Sequence, residues 1–219
     1  MDKIIYFDFD GTLHETALIY QKALQAAYDA LRSRVTLPER RFSLEESSAW
    51  LGYTPPEMWE KFMPDLEPNL KNEASLKISQ TMLQAIEMGE GRLYEGVEVV
   101  LQNLKQKGYR LKILSNCKES YRAAVVKAFQ LDRYFDAFIA AETYDYLPKE
   151  EILKVVEGLD QEGAKAKIVA FVGDRKADIN AARFNELFSI GCLYGYGELD
   201  ELIDADALIQ DIIVLLEYF

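Results

Sequence analysis

Basic residues are in short supply in this chain: 25 lysines and arginines stand against 37 aspartates and glutamates, a formal net charge of −12. A surface of that sign disfavours nucleic acid and anionic lipid as partners, since both need positive charge. Cysteine is scarce as well. Cys117 and Cys192 are the only two, which argues against a disulfide framework and for a reducing, cytoplasmic setting. Long apolar runs are missing too. Stretches such as 168–172 and 212–216 are far too short to cross a bilayer, and the apolar run at 4–7 is too short for a signal peptide. The sequence shows no internal repeat and no low-complexity linker.

The composition that remains, 49% hydrophobic and 28% charged, is ordinary for a globular protein. Its 219 residues suffice for one large domain or a core plus a small second unit. An acidic chain that handles an anion must build local positive charge, from a metal ion, a few basic side chains or helix N-termini.

Residues 3–9 (KIIYFDF) predict a buried strand, ended by Asp10-Gly11-Thr12. Helical spacing follows at Leu18, Ala23, Ala26, Ala27, Ala30 and Leu31. Ser43 with Glu46 three residues on reads as a capping box opening a helix that stops near Gly52. Pro55-Pro56 starts another, and a further helix is expected over 70–88. The segment between His14 and Arg92 shows no strand pattern, so it reads as an all-helical insert. From Tyr94 onward helix and strand alternate. Helices are expected over 97–107, 120–129, from near Pro148, and over 177–185. The intervening strands are 110–114, 137–140, 167–172, 188–193 and 205–208, with a last helix closing the chain. Such alternation predicts an α/β fold, a Rossmann-like doubly wound parallel sheet with helices on both faces.

In such sheets ligands bind beyond the carboxyl ends of the strands. Those ends deliver Asp8 and Asp10, then Ser115 and Asn116, then Gly173, Asp174 and Asp178. A single aspartate at a strand end is usually a cap or turn former. Three strand ends carrying oxygen donors together point to chemistry. Hard oxygens from two chain segments suit Mg²⁺, which binds phosphate oxygens directly. One of Asp8 and Asp10 can attack phosphorus while the other handles protons. Ser115 can donate to a phosphate oxygen, and Gly11-Thr12 and Asn116 offer backbone N–H groups. A calcium loop at Asp8-x-Asp10-Gly11 is the rival, and it lacks the acidic ligands and closing glutamate. Tyr194-Gly195-Tyr196-Gly197 reads as a turn, not a nucleotide loop.

These residues carry a resemblance. Phe7-Asp8-Phe9-Asp10-Gly11-Thr12-Leu13 is similar to motif I of the haloacid dehalogenase superfamily, Leu114-Ser115-Asn116 to motif II, and Val172–Ile179 with Ala181-Ala182-Arg183 to motif IV of its phosphoglycolate-phosphatase-like branch. The resemblance implies an α/β core over 1–13 and 93–219 with a helical cap domain at 14–92. It also implies a Mg²⁺-dependent phosphatase working through an aspartyl-phosphate. Asp8 would be nucleophile and metal ligand, Asp10 acid and base with its backbone carbonyl on the metal, and Asp174 the further ligand. Asp178 and Gly173 would support them, and Ser115, with Thr12 and Asn116, would hold the phosphoryl group. Motif III is matched by Lys149, with Lys118 as the substitute. The expected partner is a small phosphorylated metabolite, and the chain a monomer or homodimer.

Asp10 disfavours the sister dehalogenase and phosphonatase activities. Thr12, together with Tyr20 where the mutases carry a histidine, disfavours a sugar phosphomutase. A non-catalytic binding protein would be expected to have lost Asp8, Asp10 or Asp174. Substrate choice in this branch is attributed to the cap, where Gly52-Tyr53-Thr54-Pro55-Pro56 resembles the specificity loop. Trp50, Trp59 and Tyr53 are candidates to face the ligand, with both tryptophans expected rather to pack the insert's own small core; Arg92 and Lys22 are candidates for substrate contact, and His14 sits at the hinge.

Overall fold

The computed structural model describes residues 3–160 and 167–219. The first two residues of the expected core segment 1–13, and 161–166 within 93–219, lie outside the described residues. Strand β1 (Lys3–Phe7) is followed by four helices, α1 (Ala17–Arg32), α2 (Leu44–Ser48), α3 (Pro55–Phe62) and α4 (Pro68–Glu87). The alternating region then runs α5 (Val97–Gln106), β2 (Tyr109–Ser115), α6 (Glu119–Phe129), β3 (Ala137–Ala140), α7 (Lys149–Asp160), β4 (Lys167–Gly173), α8 (Lys176–Phe184), β5 (Phe188–Cys192), α9 (Leu199–Leu202) and β6 (Ala207–Ile209). The six strands form one parallel sheet in the order β3-β2-β1-β4-β5-β6, the α/β architecture expected.

β1 lies at the centre, and its side chains alternate between two apolar layers. Ile4 and Tyr6 pack with Ile152 and Leu153 of α7 and Ala181 and Ala182 of α8. Ile5 and Phe7 join the layer of Val100 and Leu104 of α5 and Ile212 and Leu215. A strand buried on both faces reads as a continuous apolar run, as KIIYF does.

The helical insert is organised by α1 and α4, which pack along each other, with Ala23, Leu24 and Ala27 in the same buried cluster as Ala74, Ile78 and Met82. The Ser43–Glu46 capping box forms as expected. A second box, Thr54 with Glu57, fixes the start of α3 just before its two prolines.

Several boundaries differ from expectation. β1 stops at Phe7 because ladder pairing ends there, opposite Ile113 and Val172; beyond it the N–H groups of Leu13 and His14 both turn back to the Phe9 carbonyl. The helix after Ser43 ends at Ser48 and passes into a turn before Gly52. β6 starts at Ala207, two residues late, because the Asp206 carboxylate is taken by the N–H and hydroxyl of Ser189. Glu198–Glu201 caps α9, which the apolar pattern did not reveal. The closing segment Ile212–Glu217 is a 3₁₀ turn, not an α-helix. Its two buried residues, Ile212 and Leu215, are three apart, and that spacing eclipses in 3₁₀ geometry.

Candidate active site

The carboxyl ends of β1, β2 and β4 converge at the centre of the sheet, where strand order reverses. Asp8 leaves β1 with its N–H bonded to the Val172 carbonyl at 2.8 Å, and its side chain is buried. Lys149, the first residue of α7, reaches it. Its Nζ lies 2.8 Å from Asp8 Oδ1 and 2.7 Å from Asp178 Oδ1, with all three side chains buried. Lys149, not Lys118, therefore makes the buried contact with Asp8. The other oxygen of Asp178 accepts the Arg175 N–H at 2.9 Å, so Asp178 braces the lysine and the turn after β4 together.

Asp174 is fully buried and held from two sides, by the Thr12 hydroxyl at 3.1 Å and the Tyr196 N–H at 2.7 Å. Two backbone segments press against it. Gly11 has φ +89°, where L side chains are strained, and a Cβ there would lie 2.3 Å from Asp174 Oδ2. A Cβ on Gly197 would lie 1.9 Å from the Asp174 carbonyl oxygen. Thus Tyr194–Gly197 is a turn, as read, and also a clasp on Asp174. The sequence signalled this only through its paired glycines. Thr12 belongs to the same arrangement: its hydroxyl is committed to Asp174, and its carbonyl accepts from Tyr194 Oη at 2.9 Å. Gly173 lets Asp178 close in, since a Cβ there would sit 2.3 Å from the Asp178 side chain.

Oxygens of Asp8, Asp174 and Asp178 lie within 4.8 Å of one another. Burial, with Asp178 and Asp174 alongside, raises the proton affinity of Asp8 well above the carboxylate range, more than Lys149 lowers it. Burial and the Asp178 charge push Asp174 up to about 7. Burial alone would lower Lys149, but the Asp178 and Asp8 charges outweigh it and hold the ammonium well above its usual range. Three buried carboxylates thus face one buried lysine, an excess of hard, negatively charged oxygen that fits a divalent cation such as Mg²⁺. Asp178 is held by the Lys149 ammonium and the Arg175 N–H, whereas the donors on Asp174 are both neutral, the Thr12 hydroxyl and the Tyr196 N–H.

Asp10 lies at the mouth, partly exposed. Its Oδ1 accepts the hydroxyls of Thr16 at 2.5 Å and Tyr121 at 2.9 Å. His14 stands behind these two, with Nδ1 at 2.7 Å from Thr16 Oγ1 and 3.1 Å from Tyr121 Oη. It is buried, and its Nε2 has no hydrogen-bond partner among the described residues. Thr16 and Tyr121 escaped the sequence reading, because nothing in a single sequence marks which hydroxyls will meet a given carboxylate.

A cavity of about 110 Å³ opens over these groups. Asp8, Asp10, Ser115, Asn116, Lys118 and Lys149 form its floor and rim, and the helical insert supplies the opposite wall, including Tyr20, Trp50, Tyr53 and Met82. Of the suggested specificity loop, Gly52, Tyr53 and Pro55 line it. The loop is tied to the sheet side. Asn116 Nδ2 donates to the Gly52 carbonyl at 2.8 Å, and the Arg175 guanidinium donates to the Leu51 carbonyl. Arg175 also lies 5.2 Å from the centre of the Tyr53 ring and bonds Glu201 at 3.0 Å. Nothing in the residue pattern indicates that the arginine of the motif-IV segment meets this loop. Other candidates lie elsewhere. Trp59 is buried among the insert's helices with its indole N–H on Ser75 Oγ. Arg92 pairs with Glu15 at 2.6 Å and Lys22 with Glu90 at 2.8 Å, both on the surface.

Similar folds and sequences are known. The crystal structure of a predicted phosphatase from Clostridium acetobutylicum superposes with a TM-score of 0.80 at 23% identity, covering 100% of this chain and 98% of that one. A phosphoglycolate phosphatase of Aliivibrio fischeri is 27% identical over 211 residues, 93% of this chain and 89% of that protein. A 5′-nucleotidase of Pseudomonas aeruginosa is 31% identical over 114 residues, 52% of this chain and 51% of that protein. Residues 5–191 match the family model of haloacid dehalogenase-like hydrolases, and with that span, this fold and the three converging strand ends the chain belongs to the haloacid dehalogenase-like hydrolase family.

Proposed function

We propose that the protein is a Mg²⁺-dependent phosphatase that hydrolyses a small phosphate monoester through an aspartyl-phosphate on Asp8, with the helices of 14–92 acting as a cap over a core of 1–13 and 93–219. The observation that carries this reading is the contact of buried Asp8 with Lys149, at 2.8 Å, facing a cavity that Asp10 and Ser115 also line. An Asp8 oxygen attacks phosphorus and the bond to the leaving oxygen breaks; Asp10, protonated, gives that oxygen its proton. Asp10, now a carboxylate, takes a proton from water, whose oxygen attacks the same phosphorus. The bond to Asp8 breaks, releasing inorganic phosphate and the free carboxylate. Thr16 and Tyr121 hold Asp10 in place through both steps. Lys149 offsets the charge of Asp8 and of the phosphoryl oxygens, and the Ser115 hydroxyl donates to one of them. Mg²⁺, held by Asp8, Asp174 and the Asp10 backbone carbonyl, supplies positive charge that lessens repulsion between nucleophile and phosphoryl group. Cys117 lines the cavity but takes no part, since burial keeps its thiol protonated. The cap loop tied down by Asn116 and Arg175 keeps bulk water off the site.

The test is phosphate release from a panel of small phosphoesters, with Mg²⁺ and with chelator, for wild type and Asp8→Asn. Turnover that needs the metal and disappears in the variant is the expected result. A folded wild-type protein that releases phosphate from none of them would end this reading.

A further inference from the structure

The wall facing Asp8 is unusual in what it lacks. The cavity residues that the insert contributes, from Tyr20 through Leu83, include no charged side chain. Trp50, Leu51, Pro55, Met58, Ile78 and Met82 make it mainly apolar. Ser75, Ile78, Ser79, Met82 and Leu83 come from one face of α4, at the three- and four-residue spacings of a helix stripe. The two serines add little polarity. Ser79 donates its hydroxyl to the Ser75 carbonyl at 2.9 Å, and Ser75 Oγ accepts the Trp59 indole at 2.5 Å. That leaves the Tyr20 and Tyr53 hydroxyls and the Trp50 indole N–H as neutral polar groups. Six basic residues of the insert pair elsewhere, Lys22 with Glu90, Arg34 with Glu73, Arg40 with Glu46, Arg41 with Asp29, Lys71 with Glu60 and Arg92 with Glu15; Lys61 Nζ lies 5.3 Å from the centre of the Tyr53 ring without itself lining the cavity. The cavity's cations, Lys149 and Lys118, both rise from the sheet side. Lys149 serves Asp8, and Lys118 follows Ser115 by three residues, just before α6.

We propose that the alcohol portion of the substrate is uncharged and apolar, a compact aliphatic or aromatic group, and that phosphoglycolate, whose leaving group carries a carboxylate, is a poor substrate. The inference rests on the phosphatase reading above and narrows it. A carboxylate pressed against this wall would be desolvated with no cation to meet it, whereas an apolar group gains by leaving water. The cavity, about 110 Å³, must hold the phosphoryl group as well and is smaller than the dry cavity of about 150 Å³ that admits benzene, so it favours a compact alcohol portion. A nucleoside exceeds it.

The experiment compares kcat/KM for benzyl phosphate, 3-methylbutyl phosphate, phosphoglycolate and adenosine 5′-monophosphate with Mg²⁺ present. Calorimetric affinities for benzylphosphonate and phosphonoacetate, which cannot be hydrolysed, are measured in parallel. The two apolar esters are expected to exceed phosphoglycolate by at least about 100-fold, and benzylphosphonate to bind more tightly than phosphonoacetate. Leu83→Lys, which places a cation on the half-buried edge of the wall, should narrow the ratio at least tenfold by raising phosphoglycolate turnover. Phosphoglycolate equal to or better than the apolar esters would overturn the inference while leaving the phosphatase reading intact, most decisively if Lys118→Met abolished that preference. Adenosine monophosphate as the best substrate would overturn it equally. Absence of turnover with benzylphosphonate still preferred would end the phosphatase reading and uphold the apolar pocket; absence of turnover with phosphonoacetate preferred would end both.

Discussion

Asp8 and Lys149 touch, yet replacing them should move the stability of the metal-free protein in opposite directions. Lys149→Met removes the buried cation that both Asp8 and Asp178 contact at 2.8 and 2.7 Å. Breaking a buried ion pair by deleting one partner costs about 3–5 kcal/mol. For a chain of this size that lowers Tm by roughly 6–20 °C. Asp8→Asn does the reverse. Burial and the neighbouring carboxylates raise the proton affinity of Asp8 despite the lysine, so its ionised form opposes folding. Asparagine keeps the shape without the charge, and Lys149 retains Asp178. Unfolding in urea at pH 8 with chelator should therefore rank Asp8→Asn above wild type and Lys149→Met below it. Saturating Mg²⁺ should reverse the first difference, because wild type gains about 2.7 kcal/mol at a hundredfold excess over Kd and the variant lacks a ligand. If Asp8→Asn is less stable than wild type in chelator, attraction to Lys149 outweighs burial and like-charge repulsion, and the account of the site as a strained, metal-demanding cluster is refuted.

The same cluster makes metal-free stability depend on pH. Asp174 binds its proton with a pKa of about 7 when folded, against an ordinary 3.8. Its contribution is thus present at low pH and is lost as pH rises through 7. Between pH 5 and 8 the loss should be ~2.7 kcal/mol, read from urea curves in chelator, and a flat profile would contradict it. At the mouth, Tyr121→Phe deletes one of the two hydroxyl donors on Asp10 Oδ1. That should lower kcat about tenfold with KM nearly unchanged, and an unaltered kcat would show that Thr16 alone positions the carboxylate.

Local patterns carried much of this structure. Period and turn chemistry placed all six strands within a few residues, since a parallel strand buried on both faces needs an uninterrupted apolar run. The Ser43 box and the Pro55 start were legible because a cap is made by residues three apart. Asp8, Asp10, Ser115 and Asp174 were legible because strand ends meet in such a sheet. What stayed hidden depends on contacts distant in sequence. Arg175 meets the loop at Leu51 across 124 positions, and Tyr196 meets Asp174 across 22. The arginine read as part of a motif, the Tyr-Gly pair as a plain turn. Lys149 was preferred to Lys118 only through its motif-like context, and the structure puts its ammonium 2.8 Å from Asp8. Its geometric credential, a side chain running from the first turn of α7 to two carboxylates, has no counterpart in composition or spacing.

The central position of β1 has a consequence for how the chain comes together during synthesis. Lys3 pairs with Tyr109 on one side and with Lys167 on the other. The first strand of the sheet to be made therefore gains its second neighbour only when β4 is complete, and its neighbours arrive with a helical insert and two further helix–strand units between them. At about 5–20 residues per second, β4 follows β1 by roughly 8–30 s. Throughout that interval an apolar strand waits with an unpaired edge, the kind of segment that recruits other strands. The residues that end up holding Asp8 at the middle of the molecule are also those most exposed to misassembly while it is being built, so chaperone dependence in the cell should concentrate on the nascent chain before β4 is complete.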